Sequence, residues 1–249
     1  MKIVVCIKEV PDTEAHIKPG ADQKSIDEAS VTFILNPYDE FAVEEALKIQ
    51  EAKGGETTAV CIGGERANET LRAALAMGIN NPVRIKSDGK IDDCLSSAKM
   101  YAEVLKDMEY DLLLMGKETI DDGSTQLGPM LGELLNIPCV TMVTGLEIGD
   151  GKVTAEREIS GGKEIIECPM PCIITAQKGL NEPRYPSLRG KMMAKKAVID
   201  EKDASPGDAK VQVVSVQRPP ARGEAKLVGE GVDAVPELIR LLKEEAKVI

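Results

Sequence analysis

Residues 121–129 read DDGSTQLGP and bring together several groups able to hold a ligand. Asp121 and Asp122 offer carboxylates, Ser124 and Thr125 offer hydroxyls, and Gly123 and Gly128 let the backbone come close to a bound group. Backbone N–H groups and small hydroxyls where a helix begins would face a phosphate. The two carboxylates would repel that phosphate if they faced it. They suit a ribose hydroxyl, a helix cap or solvent better. Two carboxylates could take part in a magnesium site, but no third acidic ligand is evident nearby to strengthen that reading. General acid–base catalysis needs a substrate between its carboxylates, and adjacent residues in one loop are poorly placed for that. Nucleotide binding and simple capping are the two readings left open by these residues.

Other groups with chemical potential are weaker or of another kind. CIGGERANETLRAAL, 61–75, has a glycine pair before a helical pattern, as a phosphate turn or an ordinary strand–turn–helix would. Neither GxGxxG nor GxxxxGK[ST] occurs, so the usual dinucleotide fingerprint and the P-loop are unsupported. Of six cysteines, Cys6, Cys61 and Cys139 lie in apolar runs, where a thiol acts as a small hydrophobe. Cys168 and Cys172 frame CPMPC, which is not a CxxC pair, and His16 is the single histidine, so no ordinary zinc site is expected. Arg184, Arg189, Lys191, Lys195 and Lys196 form a basic cluster around Tyr185, Pro186 and Leu188. Apolar anchors ringed by charge suit a transient protein contact. The net charge of −11 and the absence of Trp argue against nucleic acid or an anionic membrane surface as partner.

The elements that must position these groups alternate. KIVVCI, 2–7, is a buried-type strand, followed by a polar loop or hairpin. NPYDEFAVEEALKIQEAKGG, 36–55, predicts a helix with Asn36 as N-cap, Pro37 at the first position and Asp39 and Glu40 in the first turn. Strands follow at 57–64, 82–86 and 110–116, and helices at 65–78 and 91–108. This alternation predicts an α/β fold, a mostly parallel sheet with helices on both faces. Ligands gather at the carboxyl ends of such strands, which here are the loops 6–10, 62–66 and 116–128. Residues 144–176 read as antiparallel hairpins broken by GDG and SGG. VQVVSV, 211–216, reads as a strand, and residues 233–247 read as a final helix. At 249 residues the chain can form one large domain with an arm. No apolar run is long enough to span a membrane, and the start of the chain reads as a strand rather than a signal peptide, so a cytoplasmic location is expected.

Taken in order, VVCIKEVPD, NPYDEFAVEEAL, LRAALAMG, GKETIDDGSTQLGP and the segment 153–196, which contains LNEPRYPSLRGKMMAKK, resemble the β subunit of electron transfer flavoproteins. The likeness covers nearly the whole chain. It implies a Rossmann-like domain over 1–176, a partner-recognition loop and basic stretch over 177–200, and a C-terminal arm over 201–249 that packs on an α subunit. It implies FAD at the interface with that subunit, and a second nucleotide, AMP or FAD, within this chain. The residues matching the family's nucleotide segments are Cys6, Asn36, Pro37, Tyr38, Asp39, Ile62, Asp121, Asp122, Gly123, Ser124, Thr125, Gln126, Leu127, Gly128, Pro129, Met130 and Leu131. The doubled aspartate and intact LNEPRY resemble the AMP-holding carriers. NPYDE and the small, proline-ended loop resemble the type that holds a second FAD and bifurcates electrons from NADH, and they leave room for the larger ligand, which favours FAD.

By the same resemblance Leu188 is the docking anchor, with Tyr185, Arg184 and Arg189 around it, while RGKMM after it is closer to the bifurcating type. The function implied is electron transfer from a flavin dehydrogenase, such as an acyl-CoA dehydrogenase, to a quinone oxidoreductase or a low-potential acceptor. The chain itself would supply no acid, base or nucleophile. Two rival readings fit less well. An ATP-cleaving enzyme would need a glycine-rich loop after the first strand, where this chain has KEVPDTEAH. A structural nucleotide-binding module would leave the C-terminal arm and LNEPRY unexplained.

Overall fold

Short apolar runs that are buried on both faces become parallel strands, because helices crossing over the sheet both join and cover them. The computed structural model describes residues 1–87, 91, 93–221, 223 and 225–249. In chain order the elements are β1 (Lys2–Ile7), β2 (Glu9–Pro11), β3 (Phe33–Leu35), α1 (Pro37–Lys53), β4 (Glu56–Gly63), α2 (Ala67–Met77), β5 (Asn81–Lys86), α3 (Cys94–Leu105) and β6 (Leu112–Gly116). They continue with α4 (Leu127–Leu135), β7 (Cys139–Ile148), β8 (Lys152–Ile159), β9 (Gly162–Pro169), β10 (Cys172–Ala176), α5 (Leu188–Ala194), β11 (Asp200–Lys202) and α6 (Val235–Glu244). One sheet has the order β11-β5-β4-β1-β6-β10-β7-β8-β9, while β2 and β3 make a separate antiparallel pair. The sheet is parallel from β11 to β7, and β8 and β9 close it as an antiparallel meander.

The side-chain alternation of β1 shows why the sheet is covered twice. Ile3, Val5 and Ile7 pack with Ala42, Val43 and Ala46 of α1 and Leu71 of α2. Val4 and Cys6 point the other way, into a cluster with Met100, Tyr101 and Leu105 of α3 and Leu131 of α4. The two-faced α/β arrangement expected from the sequence is therefore present. Chain contacts divide into two units, Met1–Val216 and Gln217–Ile249. Within the second, α6 exposes Val235, Leu238 and Ile239, and Arg240 pairs with Glu237 and Glu244 at 2.7 and 2.8 Å. Among the described residues no helix is long and apolar enough to cross a membrane.

Several elements differ from the sequence reading. Residues 172–176, expected to end a hairpin, form β10 and run parallel between β6 and β7. Every residue of β10 is buried, the mark of a central strand rather than a half-wet hairpin arm. VQVVSV forms no strand. Val211 and Val214 are exposed, and β-propensity without a pairing edge does not make a ladder. Conversely Asp200–Lys202, in a polar stretch, does pair along β5, because backbone groups rather than side chains make the ladder. The segment around Leu188, read as a loop, forms the short helix α5. Ser187 caps it by accepting from the Gly190 N–H at 3.0 Å. The helix expected over 91–108 begins at Cys94 behind the capping carboxylate of Asp93, and Asp92 lies outside the described residues. The final helix spans 235–244, after a 3-10 turn at Val232–Ala234.

Candidate nucleotide site

The carboxyl ends of β1 and β6 are braced by one buried carboxylate. Asp39, in the first turn of α1, is 3% exposed. Its Oδ2 accepts from the Lys8 N–H at 2.8 Å, and its Oδ1 accepts from the Gly116 N–H at 2.9 Å. Burial pushes this carboxyl up to about 7, against the pull of those two N–H groups and the Asn36 side chain. A glycine is required opposite it. A Cβ on Gly116 would sit 2.5 Å from the Asp39 carboxylate and 2.7 Å from Tyr38 Cβ. The sequence places Asp39 in the helix dipole's favourable end. The structure gives it the further task of joining three elements.

Asn36 sits at the N-cap of α1 as expected, but its side chain makes no cap. Its Nδ2 donates to the Glu118 carbonyl at 2.9 Å, and its Oδ1 accepts from the Ile120 N–H at 3.2 Å. The Asp39 N–H, which a capping side chain would accept from, bonds the Asn36 carbonyl at 2.9 Å instead, and the side-chain amide of Asn36 fastens the loop after β6. Tyr38 presents its ring to the Lys117 ammonium, 4.9 Å from the ring centroid.

That loop leads to the DDGSTQ segment, where Asp121 and Asp122 meet Lys8, the residue immediately after β1. The Lys8 Nζ lies 2.7 Å from Asp121 Oδ2, 3.7 Å from Asp122 Oδ2 and 3.3 Å from Thr119 Oγ1. The other oxygen of Asp122 accepts from the Ser124 N–H at 2.8 Å, a local turn of the kind that competes with helix capping. Gly123 and Thr125 both have positive φ, 61° and 57°. For glycine this is free of cost, whereas for a β-branched residue it is strained. Cys94, at the start of α3, lies against the same loop, with its thiol pushed up by burial and then by the nearby Asp122 charge.

Beyond the loop, α4 begins at Leu127 behind Gln126, which makes no side-chain cap, so the first N–H groups of the helix, those of Leu127 and Gly128, have no capping side chain, while Pro129 has no N–H. Arg66, before α2 at the end of β4, likewise makes no side-chain cap. Gly128 and Leu131 face inward. A Cβ on Gly128 would lie 2.6 Å from Thr175 Cγ2, and Leu131 is fully buried. Pro129 is exposed and Met130 half-buried. Ile62 is half-buried near the end of β4, and Cys6 is buried within β1. Burial raises the Cys6 and Cys61 thiols, so neither is a ready nucleophile. The chain thus brings Asn36 to Asp39, the ends of β1, β4 and β6, and residues 121–126 to one rim, while Gly128, Leu131 and Cys6 serve its packing.

A second region carries the basic cluster. The Arg184 guanidinium meets Glu44 at 2.8 Å and Glu51 at 2.5 Å on α1, and its backbone N–H donates to Glu44 at 3.1 Å. Asn181 Nδ2 donates to the Phe41 carbonyl and to Glu45, both at 2.9 Å. Arg184 therefore fastens its segment to α1. Tyr185 is 97% and Leu188 78% exposed, and Arg189 is exposed beside them. On α5 Gly190 fits against α2, where a Cβ would meet the Ala76 carbonyl at 2.4 Å. The other side of α5 leaves Met192 and Met193 exposed.

Sequence reasoning placed Lys8 and Gly116 in the strand-end loops 6–10 and 116–128 without giving either a role, and it missed Cys94 as part of the rim. A lone cation directly after the first strand, in a chain with a doubled aspartate after a later parallel strand, is the signal that could have found Lys8.

The comparisons accord with this architecture. The family model for the electron transfer flavoprotein domain matches residues 23–207. The chain is 42% identical over 259 aligned positions to the electron transfer flavoprotein subunit beta of Bacillus subtilis, covering all of both chains. It is 36% identical to the subunit beta of Syntrophomonas wolfei, covering all of this chain and 98% of that one, and 34% identical to that of Mus musculus, covering all of this chain and 99% of that one. With that span and identity the chain belongs to the electron transfer flavoprotein β-subunit family.

Proposed function

We propose that this chain pairs with an α subunit, that FAD is held at their interface, and that residues 36–39, 62 and 121–131 hold a second nucleotide. The observation that carries this reading is the Asp39 brace. It sets the ends of β1 and β6 beside the loop 119–126 and the uncapped start of α4, a donor set that fits a phosphate-bearing ligand. Ser124 and Thr125 supply hydroxyls there, and Lys8 offsets the charge of the aspartates. FAD, where bound, supplies the redox chemistry. This chain's residues orient the nucleotide, shape the rim and dock the partner. In this reading they act through binding and positioning rather than as acid, base or nucleophile.

Electrons then pass from a flavin dehydrogenase, such as an acyl-CoA dehydrogenase, to a quinone oxidoreductase or a low-potential acceptor. Leu188 and Tyr185 form the docking anchor, held out by α5 and by the Arg184 fastening. The C-terminal unit, with the exposed apolar residues of α6, packs on the α subunit. A second FAD, with bifurcation of electrons from NADH, is favoured over AMP by the small residues of the loop. The space above Gly123 is open, with nothing within 4 Å of an added Cβ. Co-expression with the α subunit, denaturation of the purified complex and counting of FAD and AMP tests this directly. Two FAD per heterodimer supports the bifurcating type, and one FAD with one AMP makes it a carrier. A complex without flavin refutes the proposal.

A further inference from the structure

A rim proposed to hold a phosphate carries two adjacent aspartates, and both lie against the Lys8 ammonium. Lys8 is bound at both ends. Its backbone N–H donates to the buried Asp39, and its ammonium reaches Asp121, Asp122 and Thr119. The main-chain bond fixes where the side chain starts, so the cation is delivered to the loop from a rigid strand end rather than from a mobile surface. The side chains of Lys8 and Asp121 are 39% and 22% exposed, partly withdrawn from the screening that weakens surface pairs.

We infer that Lys8 is a positioning residue that gives the site its selectivity for the phosphorylated form of an adenosine ligand over the bare nucleoside. It does so by neutralising Asp121 and Asp122 and holding their carboxylates back from the phosphate. This rests on the nucleotide reading proposed above. Removing the ammonium leaves two carboxylates at the rim, which disfavours a phosphate by charge and leaves an uncharged nucleoside less affected. The geometry gives the aspartates a role different from ribose binding or simple capping. They set the loop's shape through Lys8 and the Ser124 N–H, and depend on Lys8 for their compatibility with an anion.

The test uses the heterodimer with its α subunit, depleted of the nucleotide held by this chain and titrated calorimetrically with AMP and with adenosine. Lys8→Met is expected to weaken AMP by about tenfold while adenosine changes by no more than about twofold, with the loss growing at low salt. Lys8→Arg should retain most of the AMP affinity. Adding Asp121→Asn and Asp122→Asn to Lys8→Met is expected to restore AMP binding, because the uncompensated charge is then gone. Equal losses for AMP and adenosine would make Lys8 merely structural and overturn the inference. So would a triple variant that stays as weak as Lys8→Met, which would mean direct contact of the ammonium with phosphate. Failure of the parent complex both to carry nucleotide and to bind AMP would instead remove the nucleotide reading itself.

Discussion

Replacing Asp39 by Asn should change how stability depends on pH, and the size of the change follows from burial. The carboxyl is 3% exposed, and burial raises it from 3.8 to about 7 in the folded chain. The folded state therefore holds a proton on Asp39 at pH values where the unfolded chain has released it. A raised value means that the stabilisation is fully present below about 4 and is lost as pH climbs through about 7. Between pH 5 and pH 8 this group alone should cost the parent roughly 2–3 kcal/mol, at about 1.4 kcal/mol per pH unit of displacement. The facing groups do not confuse the reading. The thiols of Cys6 and Cys61 and the phenol of Tyr101 are pushed upward, away from this window, while Lys8 is present in both proteins. The amide that D39N introduces cannot titrate. It also turns an NH2 toward one of the two N–H donors, a penalty of about 1–3 kcal/mol that is independent of pH. Urea unfolding of parent and D39N, followed by circular dichroism at pH 5 and pH 8, gives two differences in stability. D39N should fare better relative to the parent at pH 8 than at pH 5, by roughly 2–3 kcal/mol. A difference that stays constant within about 0.5 kcal/mol would show that Asp39 titrates in the ordinary carboxylate range, and the account of a desolvated brace would be wrong.

Gly116→Ala drives a Cβ into Asp39 and Tyr38 and should cost about 1–3 kcal/mol, with nucleotide lost from the purified heterodimer. Gly123→Ala meets nothing but holds φ at 61°, so thermal unfolding should report only about 1 kcal/mol. Arg184→Ala leaves the nearly buried Glu44 without its partner. It should cost about 1–3 kcal/mol and speed proteolysis between residues 181 and 187, with nucleotide content unchanged. Leu188→Ala, at a 78% exposed site, should leave stability within about 0.5 kcal/mol of the parent and slow electron transfer from the dehydrogenase. Loss of flavin in that variant would move Leu188 from docking to folding.

The parallel core is legible in the chain, because strands buried on both faces and helices with one apolar stripe write their periods directly into the residue order. KIVVCI, the glycine stop after Lys53 and the run LLLMG were legible for that reason. The sequence also marked the DDGSTQ loop and the exposed Leu188, since small residues before a helix and an apolar residue among charges are local patterns. Pairing was decided elsewhere. CIITA and VQVVSV look alike as sequence. One is β10 in mid-sheet and the other forms no strand, because a strand exists only where a neighbour offers a ladder. The division of labour within the site was likewise a tertiary matter. Asp39 and Asn36 have the composition of a helix start, yet their side chains bond Lys8, Gly116, Glu118 and Ile120 across gaps of 31 to 84 residues. Lys8 and the two aspartates are 113 and 114 positions apart in the chain, and only the adjacency of parallel β1 and β6 makes them one ionic group. Local propensity records what a residue can do with its neighbours in sequence. Which distant donor a carboxylate meets, and whether burial then shifts its proton, is set by how the strands are ordered in the sheet.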